Sequence, residues 1–245
     1  MEQNVDGMWV SEYWHPAVAV DAVVFGFDPR SKELAVLLIE RGGEPYKGSW
    51  ALPGGFIVKE DRSAKEAIIR ELKEETDVEG LDPKEFHTFS DAKRDPRERV
   101  ISIAFYALVN IYNYNKIKGG SDARNAKWFM IDDLPELAFD HNKIIDTALA
   151  QLQRSIYFEP IGFQLLDEEF TMPQLQSIYL AILRPPKGKE GGLRDRRNFA
   201  KKMLNLGYIV PTGRIMSSQN RPPMLYKFDE EAYKHAKNKG MRLEF

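Results

Sequence analysis

The chain has 245 residues, 43% of them hydrophobic and 29% charged, with a formal net charge of -2. That composition suits a folded protein with a full core, as one large domain or two modest ones, and excludes fibrous and disordered classes. With no cysteine, disulfide scaffolds, thiolate zinc sites, iron–sulfur clusters and cysteine nucleophiles are excluded, so any metal must be held by oxygen or histidine. The longest apolar runs, such as Ala17 to Phe27, fall short of the ~20 residues a membrane helix needs, and the first ten residues carry acids where a signal peptide carries bases. A cytoplasmic protein without a membrane partner is expected.

The charge is unevenly placed. Up to Leu183, 20 Lys and Arg stand against 31 Asp and Glu, a net of -11; from Arg184 onward 15 stand against 6, a net of +9. That polarity suits an acidic domain joined to one that meets a polyanion.

In chain order, Val18 to Phe27, Leu34 to Ile39 and Val100 to Tyr112 are rich in Val, Ile and aromatics and predict strands. Between them Ser63 to Thr76 predicts a helix, with Ala64, Ala67, Ile68 and Leu72 on one face and Ser63 with Glu66 spaced as a capping box. A second helix is expected after Asp140, through Ile144, Ile145, Ala148, Leu149 and Leu152 to about Arg154. Pro160 and Gly162 then mark an interdomain connector. Thr171 caps a third helix bearing Leu175, Ile178, Tyr179 and Ile182, which ends at Arg184-Pro185-Pro186. After the charged, Gly-rich loop Lys187 to Gly192, Asp195 to Leu206 reads as a short basic helix closed by Gly207. Two strand-like runs, Tyr208 to Val210 and Leu225 to Phe228, flank a polar turn. The pattern is α+β, with the domains divided at 1–158 and 159–245, the second in the order of a winged helix-turn-helix.

The chemistry concentrates in Leu52-Pro53-Gly54-Gly55-Phe56 and in Arg70-Glu71-Leu72-Lys73-Glu74-Glu75. On a helix, Glu71, Glu74 and Glu75 stand at i, i+3 and i+4, so three carboxylates share a face and repel one another unless something positive sits between them. A hard cation such as magnesium or manganese suits these oxygens and bridges to phosphate. The alternative is a surface helix laced by pairs such as Arg70 with Glu74 and Glu66 with Arg70. The spacing resembles the Nudix box, and the resemblance covers roughly residues 15 to 150. It implies an α/β/α Nudix sandwich, with Glu71, Glu74 and Glu75 as metal-binding and catalytic residues. Trp50 to Phe56 and Arg94 to Ser102 look like the branch that contains ADP-ribose pyrophosphatases and Nudix-related regulators.

The box also departs from the family pattern. Counting back from Arg70 places Arg62 where the box has Glu and Phe56 where it has Gly; the late Gly is Asp77. Counting forward from Gly55 places Asp61 at the first acidic position, in a loop one residue longer, so that acid is displaced to Asp61 or Glu60, or is absent. Arg94, Arg97 and Arg99 can clamp a diphosphate effector or serve as rim charges. The four histidines, His15, His87, His141 and His235, lack partners at ligand spacing and read as ordinary. Trp9, Tyr13, Trp14 and His15 form an aromatic arm suited to packing on a partner subunit or stacking on a base.

In the basic module, Phe199, Met203 and Leu206 can face a core while Arg196, Arg197, Asn198, Lys201 and Lys202 face outward, with Arg194 just before them. Such a helix fits a DNA major groove, its first turn near base edges and its later lysines near phosphates. Arg221, in the turn of the hairpin, resembles the arginine that winged-helix proteins place in a minor groove. The whole chain thus resembles the Nudix-related transcriptional regulators. That resemblance implies a DNA-binding homodimer whose effector is ADP-ribose in one branch and a pentose such as arabinose in another. The enzyme alternative is a magnesium-dependent pyrophosphohydrolase acting on ADP-ribose or nucleoside diphosphate sugars, left open by the degenerate box. A protein that both binds DNA and hydrolyses its effector is compatible with either.

Overall fold

A computed structural model describes residues 2–3, 9–10, 13–114, 117, 123–186, 191–217 and 222–238. A two-residue ladder of β1 (Glu2–Gln3) and β2 (Trp9–Val10) precedes the main sheet. Alternating Val, Ala and Phe side chains then build β3 (Ala17–Asp28), on which the rest is laid. Its later half pairs antiparallel with β4 (Glu33–Arg41). Two short strands follow: β5 (Trp50–Ala51) lies on β4, and β6 (Gly54–Phe56) lies on the first half of β3. After α1 (Ala64–Thr76) the chain returns as β7 (Lys84–Phe89) and β8 (Val100–Asn110), the latter parallel to β3 along its length. β9 (Ala123–Met130) completes the sheet against β4, and α2 (His141–Ser155) closes the first half.

Both faces of β3 are covered, which is why the strand reads as almost uninterrupted apolar sequence. Val20, Ala22 and Val24 face α1, in a cluster with Ala67, Ile68 and Leu72. Val23 and Phe25 face the other way, in a cluster with Ile144, Ile145, Ala148 and Leu152 of α2. This is the expected α/β/α sandwich.

The second half follows without a break in packing. β10 (Glu169–Phe170) leads into α3 (Met172–Leu183), whose N-cap Thr171 forms a full capping box with Gln174. α4 (Arg196–Asn205) is capped by Asp195 and followed by Gly207 at φ +79°. β11 (Ile209–Ile215) and β12 (Met224–Phe228) make a hairpin whose second strand also pairs with β10. α5 (Glu230–Asn238) packs Ala232, Tyr233 and Ala236 against the hairpin's core. Helices followed by a hairpin make the expected winged helix, but α5 was not foreseen.

One hydrophobic cluster runs through both halves, from Phe25 and Ile144 to Ile178, Phe199 and Ile209. Polar ties reinforce it: Asn110 Nδ2 donates to Asp167 at 2.7 Å, Gln153 Nε2 to the Ile182 carbonyl at 3.0 Å, and Arg184 pairs with Asp132. Among the described residues, no helix is long and apolar enough to cross a membrane.

Two local expectations need correction. The α1 box is half formed: Ser63 accepts from the Glu66 amide, but the Glu66 carboxylate turns outward to Arg62, at 3.0 Å from its amide and 2.7 Å from its guanidinium. For the same reason no Glu66–Arg70 pair forms, because Arg70 is drawn into the site described next.

Candidate functional site

Where β3, β4 and β6 meet the C-terminal half of α1 and the N-terminus of α2, the sheet opens into a cavity of about 680 Å³. Its acidic wall comes from α1. Glu71, Glu74 and Glu75 all line it, brought together by helical spacing as the sequence implies. Arg70 bridges them: its guanidinium donates to Glu71 at 2.7 Å and to Glu74 at 3.2 Å. The same side chain meets Asp61 through both Nε and Nη2, at 3.0 and 2.9 Å. Of the two candidates for the first acid, Asp61 is thus the one that Arg70 holds, and Arg70 keeps its carboxyl below the usual carboxylate range.

Glu75 is only 5% exposed and accepts from the Gly54 amide at 2.9 Å. Burial pushes its carboxyl up to about 8, with the Glu71 charge adding to the effect; burial also raises Glu71. The glycines matter here for space. A Cβ on Gly55 would sit 2.4 Å from the Glu71 carboxylate, and one on Gly54 would sit 2.1 Å from the Val20 carbonyl. At the helix's end Asp77 occupies the left-handed cap (φ +57°) where the family pattern has Gly, and its amide donates to Lys73. Aspartate tolerates that backbone better than most side chains.

The opposite wall is cationic and aromatic. Arg41, at the end of β4, lies 4.8 Å over the Phe139 ring; Arg97 lies 5.7 Å from the same ring and 5.2 Å from Phe56. Burial, followed by the like charge of Arg97, lowers the Arg41 pKa, so this wall favours an anion. Arg97 is steadied by Asp95, which takes two of its side-chain donors at 3.0 and 2.7 Å.

The cavity floor is a closed polar network. Arg94 is 8% exposed and donates to Asp140 at 2.8 Å and Asp21 at 3.2 Å, while Ser102 donates to the same Asp21 oxygen. The Leu52 amide donates to His141 Nδ1 at 2.9 Å, and His141 Nε2 faces Asp21 at 3.5 Å. Receiving that bond at Nδ1 fixes the neutral ring with its proton on Nε2, and burial lowers its pKa further. Asp140 is the N-cap of α2 yet makes no side-chain capping bond, because Arg94 holds its carboxylate.

Of the three arginines expected at an effector, Arg94 and Arg97 therefore reach the cavity, and only Arg97 lies on its cationic wall. Arg99 is not among the lining residues. Asp21, Arg41, Phe139 and His141 escaped sequence reasoning, since each stands outside any local motif and only the topology brings them together. The exposed Tyr13 and Trp14 lie outside the cavity lining.

In the other half, Phe199 and Met203 are fully buried while Arg194, Arg196, Arg197, Asn198 and Lys201 are exposed; Lys202 and Leu206 are half-buried. The Asn198 amide nitrogen crowds Gly192, where a Cβ would lie 2.2 Å away. Arg221 lies outside the described residues.

Sequence comparison matches the NUDIX domain to residues 15–149, more than half of the chain. The chain belongs to the Nudix family. Residues 162–228 of this Nudix protein match the NrtR DNA-binding winged helix domain. Over 226 residues, 91% of this chain and 86% of the relative, it is 29% identical to the ADPR responsive transcriptional repressor NtrR of Acinetobacter baylyi. Over 136 residues, 54% of this chain and 73% of the relative, it is 45% identical to an ADP-ribose pyrophosphatase of Methanocaldococcus jannaschii. The crystal structure of Shewanella oneidensis NrtR superimposes with a TM-score of 0.74 at 27% identity, covering 93% of this chain and 98% of that one. That protein has also been crystallised with a 27mer DNA (TM-score 0.71, 27% identity, 92% and 97% covered) and, as its NUDIX domain, with ADP ribose (0.52, 31%, 57% and 90%). The two-domain order read from the sequence is thus that of NrtR-type repressors.

Nudix hydrolases generally use a divalent metal. The donors here suit one chemically: hard carboxylate oxygens on one helix face, two of them with pKa raised by burial. Among the described residues, however, no three acidic or histidine side chains converge as a ready ligand cluster, since Arg70 spans Glu71 and Glu74.

Proposed function

We propose that this chain is an ADP-ribose-responsive transcriptional repressor acting in the cytoplasm as a homodimer on double-stranded DNA. The observation that carries the reading is the joining of two sites through one core. A cavity with a guanidinium wall lies at the start of α2, and α4, which carries the exposed bases, buries Phe199 and Met203 in the same hydrophobic cluster as α2. Arg41 favours a diphosphate over a neutral pentose, because a sugar would bring no charge to a partly desolvated guanidinium that is held by the Pro45 carbonyl, whereas Arg97 already has Asp95 beside it. Arg196, Arg197 and Asn198 would meet base edges, and Arg194, Lys201, Lys202 and Arg221 phosphates or groove walls. ADP-ribose would act by binding one arrangement of the dimer more tightly than the other, changing the spacing of the two α4 helices.

The test is binding of the purified protein to DNA from upstream of its own gene and neighbouring operons, titrated with ADP-ribose and with L-arabinose at fixed salt. Sequence-selective binding released by ADP-ribose alone is the expected outcome. Release by arabinose alone, or no selective binding, refutes it.

One observation favours a second activity beside the first. Asp61 on Arg70 completes the acid–arginine pair of the box, in a domain 45% identical to an ADP-ribose pyrophosphatase. Under this reading Glu71, Glu74 and Glu75 would hold magnesium, which when bound neutralises pyrophosphate charge and acidifies water. Arg97 would orient the diphosphate, and Glu75 would serve as proton acceptor once ionised. Magnesium-dependent cleavage of ADP-ribose abolished in Glu74→Gln supports this activity; no turnover in the wild type removes it and leaves the repressor reading intact.

A further inference from the structure

Phe139, which lines the cavity, holds a backbone that favours glycine. Its φ of +55° lies in the left-handed region that bulky side chains rarely adopt. The turn that demands it leads into α2: the Ala138 amide donates to the Trp50 carbonyl at 2.9 Å, and the His141 amide to the Ala138 carbonyl at 3.3 Å. Glycine or asparagine would make that turn with less strain. Strain of this kind gathers at functional sites, so the ring is there for what it touches.

What it touches is the cationic wall. The guanidinium carbons of Arg41 and Arg97 lie 4.8 and 5.7 Å from its centre, so one ring serves two cations. Such like charges repel: after burial, Arg97 is the largest influence lowering the Arg41 pKa. The electron-rich face of an aromatic ring offsets part of that repulsion and orients the planar groups laid on it. A second strained aromatic steadies the ring. Tyr46, at φ +63°, meets Phe139 edge-on with centres 4.9 Å apart and an interplanar angle of 67°. Its neighbour Pro45 accepts from Arg41 Nε at 2.9 Å. One loop therefore anchors both Arg41 and the ring on which Arg41 rests.

The anchors leave donors over. Among the described residues, hydrogen bonds fix Arg41 through Nε and Arg97 through Nε and Nη2, so both Nη groups of Arg41 and Nη1 of Arg97 are left to a ligand. Asp95 offsets the Arg97 charge without covering that last donor. Two separate sets of donors suit two phosphoryl groups, whereas a single phosphoryl group engages one set. Resting on the ADP-ribose reading of this cavity, we propose that Phe139, steadied by Tyr46, is the positioning residue that holds Arg41 and Arg97 as one clamp and so makes the cavity select a diphosphate over a monophosphate.

The experiment is calorimetry on the full chain in EDTA, with ADP-ribose, inorganic pyrophosphate and AMP as probes. Wild-type protein should bind both diphosphates about tenfold or more tighter than AMP. Phe139→Leu keeps an apolar side chain without a π face; it should lose about tenfold on ADP-ribose and pyrophosphate and less than about threefold on AMP. Phe139→Tyr, which restores the face, should stay within about threefold of wild type. In an Arg41→Ala background, Phe139→Leu should cost less than about threefold, because a positioning residue acts only through the group it positions. Unchanged diphosphate affinity in Phe139→Leu overturns the proposal, as does an equal loss in both backgrounds. Loss on ADP-ribose and AMP with pyrophosphate untouched also overturns it, and makes the ring a platform for the base. If circular dichroism shows Phe139→Leu unfolded, Tyr46→Leu at the exposed rim should give the same pattern at smaller size, and unchanged selectivity there overturns the proposal. Protein that shows this pattern yet is not released from DNA by ADP-ribose removes the repressor reading and leaves the clamp, whereas wild-type protein that binds neither diphosphate overturns the clamp itself.

Discussion

Replacing Glu75 by Gln should stabilise this protein at alkaline pH and not at acidic pH. The carboxyl is 5% exposed, and burial raises its pKa from 4.5 to about 8 in the folded chain. The sign follows from the raised value: between 4.5 and 8 the folded state holds a proton that the unfolded state has lost, so stability falls as pH rises through that window and is flat above it. At about 1.36 kcal/mol per pH unit the full penalty of the buried anion is about 5 kcal/mol. Glutamine keeps a carbonyl oxygen for the Gly54 amide but brings an NH₂ group that needs a partner, which costs about 1–3 kcal/mol. A net gain of about 2–4 kcal/mol above pH 8 is expected, shrinking to nothing or a small loss near pH 4.5.

Urea unfolding of wild type and Glu75→Gln from pH 4.5 to 9 in EDTA checks this. The two curves should diverge steadily as pH rises. Added magnesium should flatten the wild-type curve by replacing the proton, and leave the variant nearly unmoved. Parallel curves in EDTA would refute the reasoning, because they would mean that Glu75 ionises in the folded protein as readily as in the unfolded one.

Three further expectations follow from named contacts. Arg97→Ala and Arg41→Ala should each weaken ADP-ribose binding by about 10–100-fold in calorimetry, the scale of a charge-assisted hydrogen bond; unchanged affinity in both would move the diphosphate off this wall. Lys201→Ala should reduce the slope of log affinity against log salt by about 1, while Arg197→Ala should lower discrimination between operator and random DNA by about 1–3 kcal/mol. Arg94→Met should destabilise by about 3–5 kcal/mol in chemical unfolding, because it strands Asp21 and Asp140, which Arg94 pairs at 3.2 and 2.8 Å; a neutral effect would mean that the network is solvated.

The fold was legible wherever the sequence carried its own periodicity. β3, β4, β8 and all four longer helices fall within a few residues of their predicted bounds, because apolar spacing and caps such as Thr171 and Asp195 are local signals. β9 was missed because Ala-Arg-Asn-Ala-Lys-Trp-Phe-Met lacks a clear alternation, and its strand form depends on the edge that β4 offers. The acidic face of the site was legible for the same reason that α1 was. Whether Asp61 or Glu60 stood in for the missing glutamate was not, since counting alone cannot see which carboxylate Arg70 reaches. The pairing of Arg94, read from the sequence as a clamp or a rim charge, was not legible because its two partners lie 73 and 46 residues away in the chain.

That pairing bears on how the two halves communicate under the proposed function. α2 starts at the cavity with His141, next to its N-cap Asp140, and its Leu152 and Gln153 reach the α3 side of the shared core. A small movement at the start of α2 is therefore carried into the winged helix by close packing. The groups that fix that start are the Arg94 bonds to Asp140, which leave the helix without a side-chain cap. An anionic effector that draws Arg94 toward itself frees Asp140 to turn onto the α2 amides, exchanging a charge-assisted bond of about 1.5–3 kcal/mol for a cap of about 1 kcal/mol. The remainder must come from the effector's own contacts. At about 0.5–2 kcal/mol it is comparable to the roughly 1–3 kcal/mol by which two sites are ordinarily coupled, so under the proposed function Arg94 would link the occupancy of the cavity to the placement of α4.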